Sequence, residues 1–174
     1  MARVTLLEER DRPEHTALIA KIRGSRGKLI NLYRLLLHTP EVAGAWMEFN
    51  NSIRFNAGIE ERLRELAILR IAILNGSDYV YGIHSSGMAQ QAGITQPQID
   101  ALSDWRASEL FTPRERALLA YVDAMTRDIE VPDEVFAALR GHFDERRVVE
   151  LTVLVGCYNM HTRVMRALRL DVEK

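Results

Sequence analysis

Residues 61–74, ERLRELAILRIAIL, are apolar on almost every side when wound as a helix: Leu63, Leu66, Ala67, Ile68, Leu69, Ile71, Ala72, Ile73 and Leu74 leave no broad polar face. A helix of that kind is buried on most sides, so the rest of the chain must surround it. Glu65 and Arg70 sit inside this apolar run. A buried charge is costly unless it is paired or hydrogen-bonded, so each needs a structural or a chemical reason.

Asn75-Gly76 ends the helix and Ser77-Asp78 opens the next. Ser77, Val80 or Tyr81, and His84 follow at helical spacings of about three, four and seven, which places them on one face. A carboxylate from the first helix would then meet a hydroxyl, a phenol and an imidazole from the second, a set suited to proton transfer. The competing reading makes Glu65 a partner for a nearby arginine. Desolvation in an apolar pocket is expected to raise the Glu65 pKa and let it hold a proton near neutral pH.

The remaining sequence reads as helices and connectors. Residues 1–12 are expected as an extended or loosely attached tail, and residues 13–174 as one all-helical domain. Helices are predicted from Pro13 to a break at Gly24, from Lys28 to His38, from Pro40 behind the cap Thr39 to Asn56, and from Thr95 to Leu102. Asn50 and Asn51 read as exposed positions. Thr112 with Glu115 forms a capping-box pattern for a helix to about Arg127. Two more follow, from Asp133 to Gly141 and, capped by Asp144, from Glu145 to about Leu170. No alternating strand pattern and no glycine-rich phosphate loop appears. Residues 61–69 can be laid over 146–154, which aligns Glu65 with Glu150 and suggests a pseudo-symmetric pair of core helices.

A formal net charge of −1 carries no nucleic-acid footprint. One cysteine, Cys157, rules out an intramolecular disulfide and reads as a small core residue. The histidines lack metal-ligand spacing, so no metal and no cofactor is expected. Nothing near the first residues resembles a secretory signal, and no stretch is apolar enough to span a membrane, which leaves a cytoplasmic protein as the expectation.

Glu65-Leu-Ala-Ile-Leu-Arg70, Asn75-Gly76, Ser77-Asp-Tyr79, His84 and Ala92-Gly93-Ile94, together with Asn31 to Pro40 and Glu150-Leu151 to Met160, resemble the carboxymuconolactone decarboxylase and alkylhydroperoxidase D-like family. The likeness runs from about Asn31 to Leu168 and rests on the order and spacing of several motifs. It implies a helical AhpD-like bundle, self-association as a trimer or hexamer, and a small-molecule substrate. In the peroxidase branch two cysteines stand at the positions of Ser77 and Val80. Here both are missing, and Asp78-Tyr79-Val80-Tyr81 replaces the Glu-Tyr-Glu-Trp run of many cysteine-free members. Val80 cannot transfer a proton.

Three functions stay open. The first is cofactor-free decarboxylation of a small carboxylated lactone, with Glu65 and His84 catalytic and Ser77, Tyr79, Tyr81 and Arg70 contacting substrate. Pairing with a structural acid is the competing role for Arg70. The second is a non-enzymatic helical scaffold, and the third a thiol-dependent peroxidase, which the missing cysteines disfavour.

Overall fold

The computed structural model describes residues 1–173. Among them the chain is helical and strand-free, in one helical domain. The helices are α1 (Thr16–Arg26), α2 (Asn31–Leu36), α3 (Pro40–Asn51), α4 (Glu61–Leu74), α5 (Asp78–Ile83), α6 (Ala89–Gln91), α7 (Gln96–Ala101), α8 (Pro113–Arg127), α9 (Asp133–Arg140) and α10 (Glu145–Ala167). The apolar α4 lies at the centre and packs along both α8 and α10. Leu66, Ala67, Ile68, Leu69 and Ile71 are fully buried. The helices carrying Glu65 and Glu150 therefore do lie against each other.

Capping chemistry fixes several boundaries. Thr112 accepts from the Glu115 amide while Glu115 Oε2 accepts from the Thr112 amide at 2.8 Å, closing the box that starts α8. Asp144 Oδ1 accepts from the Arg147 amide at 2.7 Å and starts α10. Gly76 ends α4 in the left-handed region at φ 60°, where a side chain would be strained. Asn75 then ties that end to α10 through Asn159 (2.9 Å) and Thr162 (2.8 Å).

Some boundaries differ from the sequence-based expectation. α1 runs through Gly24 and stops at Gly27, whose φ of 77° is the actual left-handed break. α3 ends at Asn51 and gives way to a wide turn, Ser52–Asn56, which moves Arg54 inward. Residues 1–12 are mostly extended but held down: Leu7 N–H bonds Arg34 O, Arg34 pairs with Glu8, and Leu6 packs on the core. No helix among the described residues is long and apolar enough to cross a membrane.

Candidate active site

Glu65 sits in the first turns of α4 and is 1% exposed. His84 follows the end of α5 and begins a wide turn, His84–Met88. The glycine-ended α4 and the short α5 fold back on one another, and His84 Nδ1 comes within 2.5 Å of Glu65 Oε2. Arg64 Nε donates to Glu65 Oε1 at 3.2 Å, and Arg54 Nη2 approaches the same oxygen at 3.9 Å.

Burial acts to raise the Glu65 carboxyl, but the His84 hydrogen bond and the neighbouring charges of His84, Arg54 and Arg64 outweigh it and hold the group below the ordinary carboxylate range. The expectation of a raised Glu65 is therefore overturned, first by the His84 hydrogen bond and charge and then by the charges of Arg54 and Arg64. At His84 burial dominates over the pull of Glu65, and the imidazole lies below its usual value. At neutral pH the pair is a carboxylate accepting Nδ1–H from a neutral imidazole. A carboxylate offers no donor, so this bond sets the tautomer and makes Nε2 the basic nitrogen.

His84 lines a cavity of about 320 Å³. Val80, Ile83, Leu32, Tyr33 and Met165 make its apolar wall, while Arg26, Lys28 and Arg54 bring positive charge. Arg26 is held by Tyr33, Ser25 and Asn50, none of them acidic. Tyr158 meets His84 edge-on with ring centroids 5.6 Å apart, and His161 meets Tyr158 at 5.1 Å. His161 Nε2 lies 3.2 Å from Asn50 Nδ2 and its Nδ1 3.5 Å from Cys157 Sγ. A second cavity of about 320 Å³ lies on the Glu65 side, with Arg26, Arg54 and Met88 common to both.

Of the residues expected to contact substrate, Tyr79 lines the main cavity, and its hydroxyl donates to Glu173 at 2.7 Å. Ser77 does not line it. As the residue capping α5 it has non-helical backbone (φ −92°, ψ 90°), so the single-face spacing fails there, and it lines a separate cavity with Arg166 and Arg169. Tyr81 packs between the two apolar clusters and lies outside the main cavity. Arg70 is a structural residue: Asp123 takes it bidentately at 2.6 and 3.0 Å, and the carbonyls of Leu102 and Ser103 take its remaining donor. Asn50, expected exposed, is buried because the cavity's aromatic wall covers it.

Arg54, Arg64, Tyr158 and His161 were not singled out from the sequence. Arg54 and Arg64 carried a faint signal as charges beside an apolar helix; Tyr158 stood in the family-like run ending at Met160, and His161 just beyond it, but nothing local placed either of them, more than 70 positions away, beside His84.

The family model for carboxymuconolactone decarboxylases matches residues 40–124, a span that includes the Glu65–His84 pair and Arg54. An Escherichia coli K12 relative, the uncharacterized protein YnjA, is 30% identical over 129 residues, 74% of this chain and 68% of that protein. The chain belongs to the carboxymuconolactone decarboxylase family. Among solved structures, ATU0492 of Agrobacterium tumefaciens, a protein of unknown function, is 32% identical with a TM-score of 0.76, covering 80% of this chain and 96% of that one. The alkylhydroperoxidase AhpD core of a peroxidase-related protein from Ralstonia eutropha JMP134 shares the fold at a TM-score of 0.83 and 17% identity, covering 99% and 93%. Family membership fixes the AhpD-like fold and leaves the reaction to be read from the site.

Proposed function

We propose that this family member is a proton-transfer enzyme acting on a small carboxylated substrate of lactone type, with decarboxylation as its reaction. The observation that carries the reading is the 2.5 Å contact between buried Glu65 and Nδ1 of His84, whose ring lines a largely apolar cavity that Arg26 and Arg54 also line. Glu65 fixes the tautomer and His84 Nε2 is the group that exchanges the proton. Arg54, with Arg26 and Lys28, attracts the substrate's carboxylates and stabilises charge that develops on its carbonyl oxygen.

The step balances as follows. The bond from carbon to the departing carboxylate breaks, and its electron pair spreads into a conjugated carbonyl of the substrate. Carbon dioxide leaves. The carbanionic carbon then takes the proton from Nε2 of His84, which solvent had supplied, and the imidazole returns to neutral. Self-association as a trimer or hexamer and a cytoplasmic setting belong to the same proposal. Exposed Val149, Val153 and Met160 along α10 are surface that a symmetric partner would cover.

A binding scaffold is the second reading. It is favoured by the pairing of Glu65 with Arg64, which accounts for that carboxylate without chemistry. A thiol peroxidase has less support, because burial pushes the Cys157 thiol up to about 12 and a thiolate is the required nucleophile.

The test is turnover of a panel of carboxylated lactones in deuterium oxide by wild type, His84→Asn and Glu65→Gln, each checked for folding by circular dichroism. Deuterium appearing at one product carbon, with rates reduced about 10²–10⁴-fold in His84→Asn, is the expected result. Equal rates in wild type and His84→Asn would overturn the role of His84, and a folded wild type silent on the whole panel would favour the scaffold.

A further inference from the structure

The segment after α10 returns across the cavity. Leu170 is buried and its amide bonds Met165 O at 2.9 Å. Residues 171–173 have no regular structure beyond it. Asn31 Nδ2 donates to Asp171 O at 3.1 Å, and Val172 lies beside Gly82 of α5. Glu173 then reaches the cavity wall, where its Oε1 accepts from the Tyr79 hydroxyl at 2.7 Å and from the Asn31 amide at 2.8 Å. Tyr79 is 3% exposed, and the Asn31 amide belongs to the first residue of α2, where no helical carbonyl serves it. Two preset donors from two different helices thus converge on one carboxylate oxygen.

We propose that Tyr79 and the Asn31 amide form a carboxylate-binding subsite of the cavity, and that Glu173 occupies it as a removable internal substitute for a substrate carboxylate. The proposal deepens the reading of this cavity as the place where a small carboxylated molecule binds. Tyr79 and His84 line the same cavity of about 320 Å³, so a carboxylate held at Tyr79 shares that space with the basic nitrogen of His84.

Two donors aimed at one oxygen form charge-assisted hydrogen bonds, which are stronger than neutral ones. A second carboxylate cannot use them while Glu173 does. The tail is therefore an intramolecular competitor: incoming acids bind only the fraction of molecules whose tail is displaced, and their apparent Kd rises in proportion. If the subsite is free in about one molecule in ten, removing the Glu173 carboxylate tightens carboxylate binding about tenfold. A merely anchoring role would produce no such gain.

The experiment is calorimetric titration of benzoate into wild type, Glu173→Ala, and Glu173→Ala with Tyr79→Phe, at one protomer concentration. The expected result is benzoate binding about five- to tenfold tighter in Glu173→Ala, with the gain lost when Tyr79→Phe is added. Unchanged or weaker binding in Glu173→Ala would overturn the proposal, as would a gain that survives Tyr79→Phe. The wild-type chain crystallised with saturating benzoate gives an independent reading that needs no variant to fold. Benzoate on the Tyr79 hydroxyl with Glu173 displaced supports the subsite, and Glu173 still bonded to Tyr79 overturns it. Benzoate affinity is read without turnover, so an inactive lactone panel leaves these outcomes intact.

Discussion

Replacing Arg70 by methionine should destabilise the fold severely while leaving the cavity's chemistry in place. The side chains of Arg70 and Asp123 are 4% and 6% exposed, and they share a bidentate contact at 2.6 and 3.0 Å. Methionine fills much of the volume but donates nothing. Asp123 would keep only Trp105 Nε1 at 3.2 Å and the mostly exposed Arg106 at 3.7 Å, while Leu102 O and Ser103 O would lose a donor. Breaking a buried pair on one side costs about 3–5 kcal/mol, because a charge is left uncompensated. Arg106 offsets part of this, which places Arg70→Met near about 3 kcal/mol and, for a chain of this size, lowers Tm by about 10 °C. Urea unfolding at fixed protomer concentration measures it. The double variant Arg70→Met with Asp123→Leu removes both charges and should be less destabilised than the sum of the two single variants by at least about 1 kcal/mol. A loss below about 1 kcal/mol in Arg70→Met, or strict additivity in the cycle, would refute the assignment of Arg70 as one half of a buried pair.

Other outcomes follow from the same geometry. Burial, with the charges of His84, Arg54 and Arg26, brings His161 down to about 3, so it binds its proton far more readily when unfolded. Its stabilising contribution is complete above the unfolded value near 6.5 and is lost as pH falls from there toward 3, an effect of up to about 5 kcal/mol that His161→Gln should flatten in urea unfolding. His84 is also depressed and acts as the proton donor in the proposed step, so the alkaline limb of the pH–rate profile should lie below the ordinary imidazole value, and Glu65→Gln, which removes the group raising it, should move that limb further down. Thr112→Ala should cost about 1 kcal/mol by thermal unfolding, because the α8 box loses its side-chain acceptor. Gly76→Ala should cost about 1–2 kcal/mol, because its left-handed backbone strains any side chain.

The helices were legible where a local rule sets them. Thr112 with Glu115, Asp144 and Pro40 are readable without tertiary knowledge, and the apolar run of α4 announces its central burial. Glu65 and His84 were legible because a charge in such a helix and an imidazole just beyond it both ask for a partner. The interactions around them were harder to read. Arg54 reaches Glu65 from a wide turn that sequence periodicity extends as plain helix, and Tyr158 and His161 arrive from the far end of α10. The direction of the Glu65 shift depends on the His84 hydrogen bond and on the charges of His84, Arg54 and Arg64, so a reading based on desolvation alone reverses it. Glu173 was invisible for the same reason: nothing local marks a glutamate as the partner of Tyr79.

The loss of both cysteines changes what the Glu65–His84 pair has to do. In the branch with a dithiol, the resemblance gives the histidine a thiol to serve. Here Val80 is 3% exposed and contributes only hydrocarbon to the cavity wall, so no side chain at that position takes up a proton. Cys157 lies beside His161 on α10, but burial keeps it a thiol. In the proposed reaction the basic nitrogen of His84 therefore acts on the bound molecule itself. An imidazole removes a proton from carbon, or its protonated form returns one, only where the electron pair on that carbon has somewhere to go. Under that proposal the substrate carries its own conjugated carbonyl, and Arg26 and Arg54 in the cavity lining would stabilise the negative oxygen that forms. In the same proposal those arginines, with the donors now held by Glu173, would select acids over neutral molecules of equal size. An unsaturated acid is the class of molecule that meets both requirements.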